Sequence, residues 1–311
     1  MSDDFAPQCL SIDLEIGKND SRIYQFGAVR GDNGETLRFA RGDLNAALNR
    51  LDALADDVAF LLGHNLVNFD LPHLKAARPD LRLHDKPAVD TLWLNPLAFP
   101  RNPYHHLVKH YQDGRLQGDH LNDPLKDAQL ALDVFHDQHG ALKALNATNP
   151  QLLTAWHWLT TQDNTLSGTN RFFTKLRDKL RPSVEEAQAA IALCVKDQAC
   201  ITQQRQILDE ASHDGWPLAY ALAWLSVAGG NSVMPPWVRH QFPRSGEIIR
   251  RLRDTACTAP ICLWCREHHD AAITTPQFRL VYHVDDTRRV VTLLAVATRD
   301  DVYRELQSRL S

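Results

Sequence analysis

The sequence contains no apolar run long enough to cross a bilayer. Its longest, roughly Trp216 to Ala228, falls well short of the ~20 residues that a spanning helix needs. The opening MSDDFAPQCL has no basic stretch followed by an apolar core, so no secretory signal is read there. Strong charge is missing as well. A formal net charge of −4 gives no overall pull toward nucleic acid, so any such partner is gripped by local basic patches. Six cysteines in 311 residues do not suggest a disulfide scaffold, and a reduced, cytoplasmic setting is expected. The phosphate-binding pattern G-x-x-x-x-G-K-[ST] is absent: IGKND lacks its glycine spacing and its Ser or Thr. No nucleotide cofactor, no ATPase activity and no membrane partner are therefore expected. Internal repeats and low-complexity segments are missing too.

What is present reads as a soluble globular chain, 44% hydrophobic and 23% charged, long enough for one large domain or two ordinary ones. Leu10–Ile16, Arg22–Val29 and Thr36–Ala40 alternate as three strands, joined by the turn-rich GKNDS and GDNGE. A helix is expected from about Leu44 to Leu54, with Asp43 as its cap. VAFLLGHN reads as a short buried strand, FDLPHLKAA as a helix and HDKPAVDTL as another strand. PLKDAQLALDVFHDQH is an amphipathic helix with Pro124 in its first turn. That order implies an α/β fold with a mixed sheet flanked by helices. A seam falls near residues 145–151. Helical patterns follow to Val227, notably VEEAQAAIALCVKDQACITQQRQILDEA and WPLAYALAWLSVA, and GGNSVMPPW breaks them. A basic stretch with five arginines against two acids, WVRHQFPRSGEIIRRLRD, leads to a cysteine cluster. The end reads as a β-hairpin and a short helix.

Chemistry concentrates in acids that lie on apolar segments. Asp13 and Glu15 share one face of the first strand because strand side chains alternate. Two readings fit such a pair: a solvated strand face, or metal ligands. Asp70 follows a strand at a helix start, and Asp127 sits in a helix's first turn, where dipole chemistry alone also places acids. Gathering several carboxylates is costly unless cations neutralise them. Two Mg²⁺ or Mn²⁺ ions roughly 3.5–4 Å apart hold an attacking water and a leaving oxygen in phosphodiester hydrolysis, and Mg²⁺ prefers hard oxygen donors.

SIDLEIGKNDSRIYQFGAV, GHNLVNFDLPHL and NDPLKDAQLALDVF resemble, in order, the three motifs of the DnaQ-like (DEDD) 3′–5′ exonucleases, over about residues 8–140. The resemblance implies a ribonuclease H-like fold for residues 1–145. It also implies two Mg²⁺ or Mn²⁺ ions on Asp13, Glu15, Asp70 and Asp127, and single-stranded DNA 3′ ends as substrate. The pattern departs at the general base. The histidine subclass carries it five positions before the last acid, here Asn122, and the tyrosine subclass needs Tyr where Asp123 stands. Asn takes no proton from water, and His120 is the nearest alternative. His64 and Asn65 are expected to order the strand end beside the substrate. Arg101, Tyr104 and Lys109, in FPRNPYHHLVKHYQ, either line the substrate strand or belong to a solvated helix.

Residues 146–256 form a helical accessory region. CTAPICLWCREHH, within 257–270, spaces Cys257, Cys262, Cys265 and His268 for one structural Zn²⁺, with His269 as an alternative fourth ligand. From WPLAYALAW to CLWCREHHD the chain also resembles the segment linking an exonuclease domain to a RecQ-type helicase, which implies a helicase partner. The tail, 271–311, resembles the second half of a RelE/ParE-type toxin, with Arg279, Arg299 and Tyr303 in its motifs; the competing reading is a hairpin packed for stability. Three functions follow: a metal-dependent exonuclease, an inactive nucleic-acid-binding module, and a toxin-like ribonuclease.

Overall fold

The structure is a computed structural model that describes residues 7–17, 20, 22–102, 107, 123–163, 167–227, 234–259, 261–273, 278–285 and 290–298, with side chains as far as residue 268. It divides into two compact units, Met1–Arg250 and Arg251–Ser311.

In the first unit five strands form one sheet: β1 (Cys9–Ile16), β2 (Ile23–Arg30), β3 (Thr36–Phe39), β4 (Phe60–Gly63) and β5 (Ala88–Asp90). The spatial order is β3-β2-β1-β4-β5. β1, β2 and β3 are antiparallel neighbours, and β4 and β5 extend the sheet in parallel from β1. Four helices interrupt or follow the strands: α1 (Leu44–Leu54), α2 (Asp70–Ala77), α3 (Thr91–Ala98) and α4 (Pro124–Thr148). This is the mixed, helix-flanked sheet that the patterning implies. The strand expected across HDKPAVDTL shrinks to Ala88–Asp90, because Arg82–Asp85 wind into a 3₁₀ turn and Asp90 caps α3.

Alternation on β1 decides which helix covers which face. Leu10, Ile12 and Leu14 point to one side and bury against Leu48 and Leu51 of α1, both fully shielded. Each such leucine contributes about 1.5–3 kcal/mol on burial. Phe26 of β2 continues this layer and stacks on Phe39 of β3 with ring centroids 5.4 Å apart. The opposite face carries Ser11, Asp13 and Glu15, and α4 crosses it. The Ser11 hydroxyl donates to the Ala128 carbonyl of α4 at 2.7 Å. α4 starts where its sequence says it should: Asp123 accepts from the Leu125 N–H, and Pro124 occupies the first turn, where its missing N–H costs nothing.

A glycine sets how closely α4 approaches. Gly27 of β2 stands opposite Asp13 in the ladder, and a Cβ there would overlap the Pro124–Leu125 backbone. Only a bare Cα lets the first turn of α4 rest on the sheet.

The helical region shares the first unit's core. It comprises α5 (Pro150–Leu159), α6 (Thr169–Arg177), α7 (Val184–Val195), α8 (Ile201–Glu210), α9 (Gly215–Ser226), α10 (Pro236–Gln241) and α11 (Pro243–Asp254), whose last residues pass into the second unit. At the seam the chain turns from α4 into α5 through Asn149 alone, whose side chain caps the Leu152 N–H. Trp93 of α3 meets Trp216 of α9 edge to face at 5.0 Å. The Tyr220 hydroxyl donates to the Trp93 carbonyl at 3.1 Å, and Trp156 Nε1 donates to the Ala219 carbonyl at 3.0 Å.

The second unit holds the end of α11, α12 (Leu263–Ile273) and an antiparallel hairpin, β6 (Phe278–Asp285) and β7 (Val290–Thr298). The hairpin matches the expectation for the tail, with Arg279 opposite Ala297. Arg299, Tyr303 and the expected final helix lie outside the described residues. No helix among the described residues is long and apolar enough to cross a membrane.

Substituting Gly27→Ala is expected to push α4 off the sheet and cost about 1–3 kcal/mol, as overpacked cores do. A thermal melt should drop by roughly 2–4 °C for each kcal/mol lost in a unit of this size. A melt unchanged from the parent protein would show that α4 tolerates the displacement.

Candidate metal centre

β1 carries the acids beyond the point where its parallel neighbour stops. β4 pairs with β1 only at Cys9, Leu10 and Ser11, so from Ile12 onward that edge of β1 is free of a strand partner. There the chain leaves β4 through a left-handed Asn65, φ 67°, and enters α2 at Asp70. The Asp70 carboxylate accepts the Leu14 N–H at 2.9 Å and so takes the place of the missing strand. It is 1% exposed.

From the other side α4 delivers Asp127, one residue before the Ala128 carbonyl that Ser11 grips. Oxygens of Asp13, Glu15 and Asp127 lie within 4.8 Å of one another. Three of the four expected acids thus form one group, drawn from β1 and α4. Asp70 joins them electrostatically, since its charge and that of Asp13 act on each other. The Tyr24 hydroxyl donates to Glu15 Oε2 at 3.3 Å, and Arg38 of β3 pairs with the capping Asp123 at 3.5 Å.

Crowding shows in the titration of these groups. Burial, then the charges of Asp127 and Glu15, push the Asp13 carboxyl up to about 8. Asp70 is held well above the usual carboxylate range by burial and then by Asp13. Burial raises Glu15, against the lowering effect of the Tyr24 hydrogen bond. Carboxyls crowded and withdrawn from water favour protons unless a cation takes their place. The donors are all hard oxygens, the type that Mg²⁺ and Mn²⁺ select over soft thiol sites.

Asp90 is a residue the sequence reading passed over. Fully buried at the end of β5, it accepts from the N–H groups of Asn65 (2.9 Å), Val67 (3.1 Å) and Leu92 (2.9 Å). It caps α3 and also ties down the turn that leads to Asp70. Burial raises its carboxyl to about 6, against the pull of those N–H donors. The signal was available: an acid directly before a helical pattern, in AVDTLW, is a cap signature. Gly27 and Ser11, the two contacts that seat α4, carry no such local mark.

His64 Nδ1 lies 2.9 Å from the Thr91 hydroxyl, and Thr91 in turn donates to the Gly63 carbonyl at 3.1 Å, which links the His64 ring to the end of β4. Arg101 is exposed at the wall of a cavity of about 810 Å³ that also touches Asp137 and Leu145 of α4. At 1.5 Å per residue, Asp137 is about 15 Å along the helix from Asp127. Tyr104, Lys109, His120 and Asn122 lie outside the described residues. In the second unit the sulfurs of Cys257, Cys262 and Cys265 lie within 4.8 Å of one another. His268 is not brought to them: its Nδ1 bonds the Trp264 carbonyl at 2.8 Å and its ring stacks on Trp264. The side chain of His269 lies outside the described residues.

Raised carboxyls mean that the folded chain keeps protons the unfolded chain has already released. The metal-free protein is therefore expected to lose stability as pH climbs from roughly 4, the unfolded value, to about 8 for Asp13. Mn²⁺ binds the ionised form and should raise the melting temperature most at and above that pH. Asp13→Asn should flatten this dependence, remove the Mn²⁺ shift and stabilise the metal-free protein at pH 8 by on the order of 1–3 kcal/mol. Parallel melts of the two proteins across pH 5–9 settle it; an equal Mn²⁺ shift in both would remove Asp13 from the ligands. Asp90→Ala strands three N–H donors and is expected to cost on the order of 1–3 kcal/mol, with a weaker Mn²⁺ shift because the turn before Asp70 loosens. Melts with and without Mn²⁺ measure both effects.

Compared with protein-family models, with curated proteins and with solved structures, the chain matches none, so the reading of this centre stands on its own residues.

Proposed function

We propose that the protein is a metal-dependent 3′–5′ exonuclease that hydrolyses terminal phosphodiester bonds of single-stranded DNA, on a ribonuclease H-like fold. The observation that carries this reading is the meeting of Asp13, Glu15 and Asp127 from two distant segments, with Asp70 coupled to Asp13 from a third. The order of these acids along the chain is that of the exonuclease motifs they resemble. Two Mg²⁺ or Mn²⁺ ions are the cofactors this donor set fits, held by those four side chains.

When bound, such a pair of ions supplies Lewis acidity toward water and toward the leaving oxygen of a phosphodiester. The chain's own residues set the stage for that chemistry. Asp13 and Glu15 are fixed by the ladder of β1 with β2, Asp127 by the grip of Ser11 on α4, and Asp70 by the Leu14 N–H. Tyr24 orients the Glu15 carboxylate through its hydroxyl.

A second reading rests on Asn122, which stands where the histidine subclass carries its base. Losing a general base typically costs 10²–10⁴-fold in rate, and in the limit leaves a module that binds DNA ends without cutting them, as a partner of a helicase. One assay separates the two. With 5′-labelled single-stranded DNA and Mn²⁺, one-nucleotide laddering that disappears in Asp13→Ala and Asp127→Ala is the expected result. Retention of the labelled strand without shortening, unchanged in those variants, would leave the binding module. Internal cuts in RNA that survive both substitutions would instead move the activity to the RelE-like tail.

A further inference from the structure

The second unit contains a cluster of opposite chemical character. Cys257 lies in the loop after α11, Cys262 immediately precedes α12, and Cys265 sits in that helix's first turn. Their sulfurs lie within 4.8 Å of one another. Cys265 is 4% exposed, and its Sγ accepts the Cys257 N–H at 3.3 Å. The Arg266 N–H bonds the Cys262 carbonyl at 3.1 Å, closing the first turn of α12 beneath them. No disulfide joins any of the six cysteines, although Cys262 and Cys265 stand in a C-x-x-C pattern.

As neutral thiols these groups are weak donors and acceptors, which gives three of them little reason to converge on one loop and one helix start. As thiolates they suit that place, since a helix N-terminus and a backbone N–H both favour negative sulfur. Three thiolates together need a cation, and a soft one. Tetrahedral Zn²⁺, with Zn–S near 2.3 Å, sets its sulfurs about 3.8 Å apart, inside the spacing seen. Mg²⁺ and Mn²⁺ belong to the oxygen donors of the first unit.

The histidine that sequence spacing offers as fourth ligand is engaged elsewhere. His268 is exposed; its Nδ1 is held by the Trp264 carbonyl, and its ring lies flat on Trp264, 4.1 Å between centroids and 3° between planes. We propose that Cys257, Cys262 and Cys265 bind one structural Zn²⁺ as thiolates, with His268 outside the ligand set. Each thiol releases its proton to solvent on binding, and no electron is transferred. The fourth position is filled by a donor from outside Cys257–His268. The ion ties the loop after α11 to α12, in a unit of about sixty residues where a metal commonly supplements a small core.

This site is independent of the carboxylate centre, and its test reads metal content rather than hydrolysis. The full chain, purified without chelator, is analysed by native mass spectrometry and elemental analysis, and its Co²⁺-exchanged form by absorption. One Zn²⁺ per chain retained through gel filtration, and a sulfur-to-cobalt charge-transfer band, are expected. His268→Ala and Asp13→Ala should keep the full zinc content, whereas Cys262→Ser and Cys265→Ser should lose it. The cobalt spectrum of the unsubstituted chain answers the question even where a serine variant fails to fold. Zinc-free protein, a Cys262–Cys265 disulfide recovered by peptide mapping, or zinc lost on His268→Ala would each overturn the proposal.

Discussion

The seat of α4 on the sheet is the constraint from which the candidate centre follows. A helix packed on a sheet ordinarily stands about 10 Å off, held there by the side chains between the layers. Here the first turn of α4 rests on Gly27, where a Cβ would overlap its backbone, and the Ser11 hydroxyl reaches the Ala128 carbonyl directly. That close approach brings Asp127 into contact with Asp13 and Glu15. Were the helix lifted by the thickness of a methyl group, the three carboxylates would relax apart and lose both the burial and the mutual repulsion that drive the Asp13 carboxyl to about 8. The contact that makes the site is therefore also the source of its repulsion, and the surrounding structure has to hold that repulsion in place.

It does so from several sides. The cap at Asp123, flanked by Arg38, fixes the entry of α4. On the other edge Asp90 gathers three backbone N–H groups and stops the Asn65 turn from swinging Asp70 away. The helical region adds stiffness behind the sheet. Trp93, three residues beyond the α3 cap, is locked between Trp216 and the Tyr220 hydroxyl, so the strand end that carries Asp90 is anchored in the same core as α9. Charged groups held at short range by packed apolar layers keep their positions fixed by the scaffold rather than by one another.

Much of this was legible in the sequence, and the limits have physical reasons. Period-two alternation placed Asp13 and Glu15 on one face of β1, and the cap and proline signature placed Asp127 in the first turn of α4, because both are local rules. The depth at which α4 packs depends on Gly27 and Ser11, each more than ninety residues away from the helix backbone it meets, and leaves no local trace. The long helical pattern from Val184 to Ala211 carries no glycine or proline, yet it divides into α7 and α8, because tertiary packing overrides propensity. His268 misled for a related reason: residue spacing along a helix fixes the face but not the direction of a ring, and the i,i+4 stack on Trp264 competes with coordination.

The two clusters also divide the chain by the softness of their donors. Carboxylate oxygens gather in the first unit, where helix–sheet packing is dense enough to force like charges together. The thiols of Cys257, Cys262 and Cys265 gather in the second, a unit of the size in which a metal commonly supplements a small core. A single cation type serves both poorly: zinc at the carboxylates gives up the near-octahedral oxygen coordination that hard ions demand, and magnesium at the thiols finds no ligand it prefers. With both proposed centres occupied, metal selection would need no gate or chaperoning residue. It would follow from which side chains each unit crowds, hard oxygens in the first and soft sulfurs in the second.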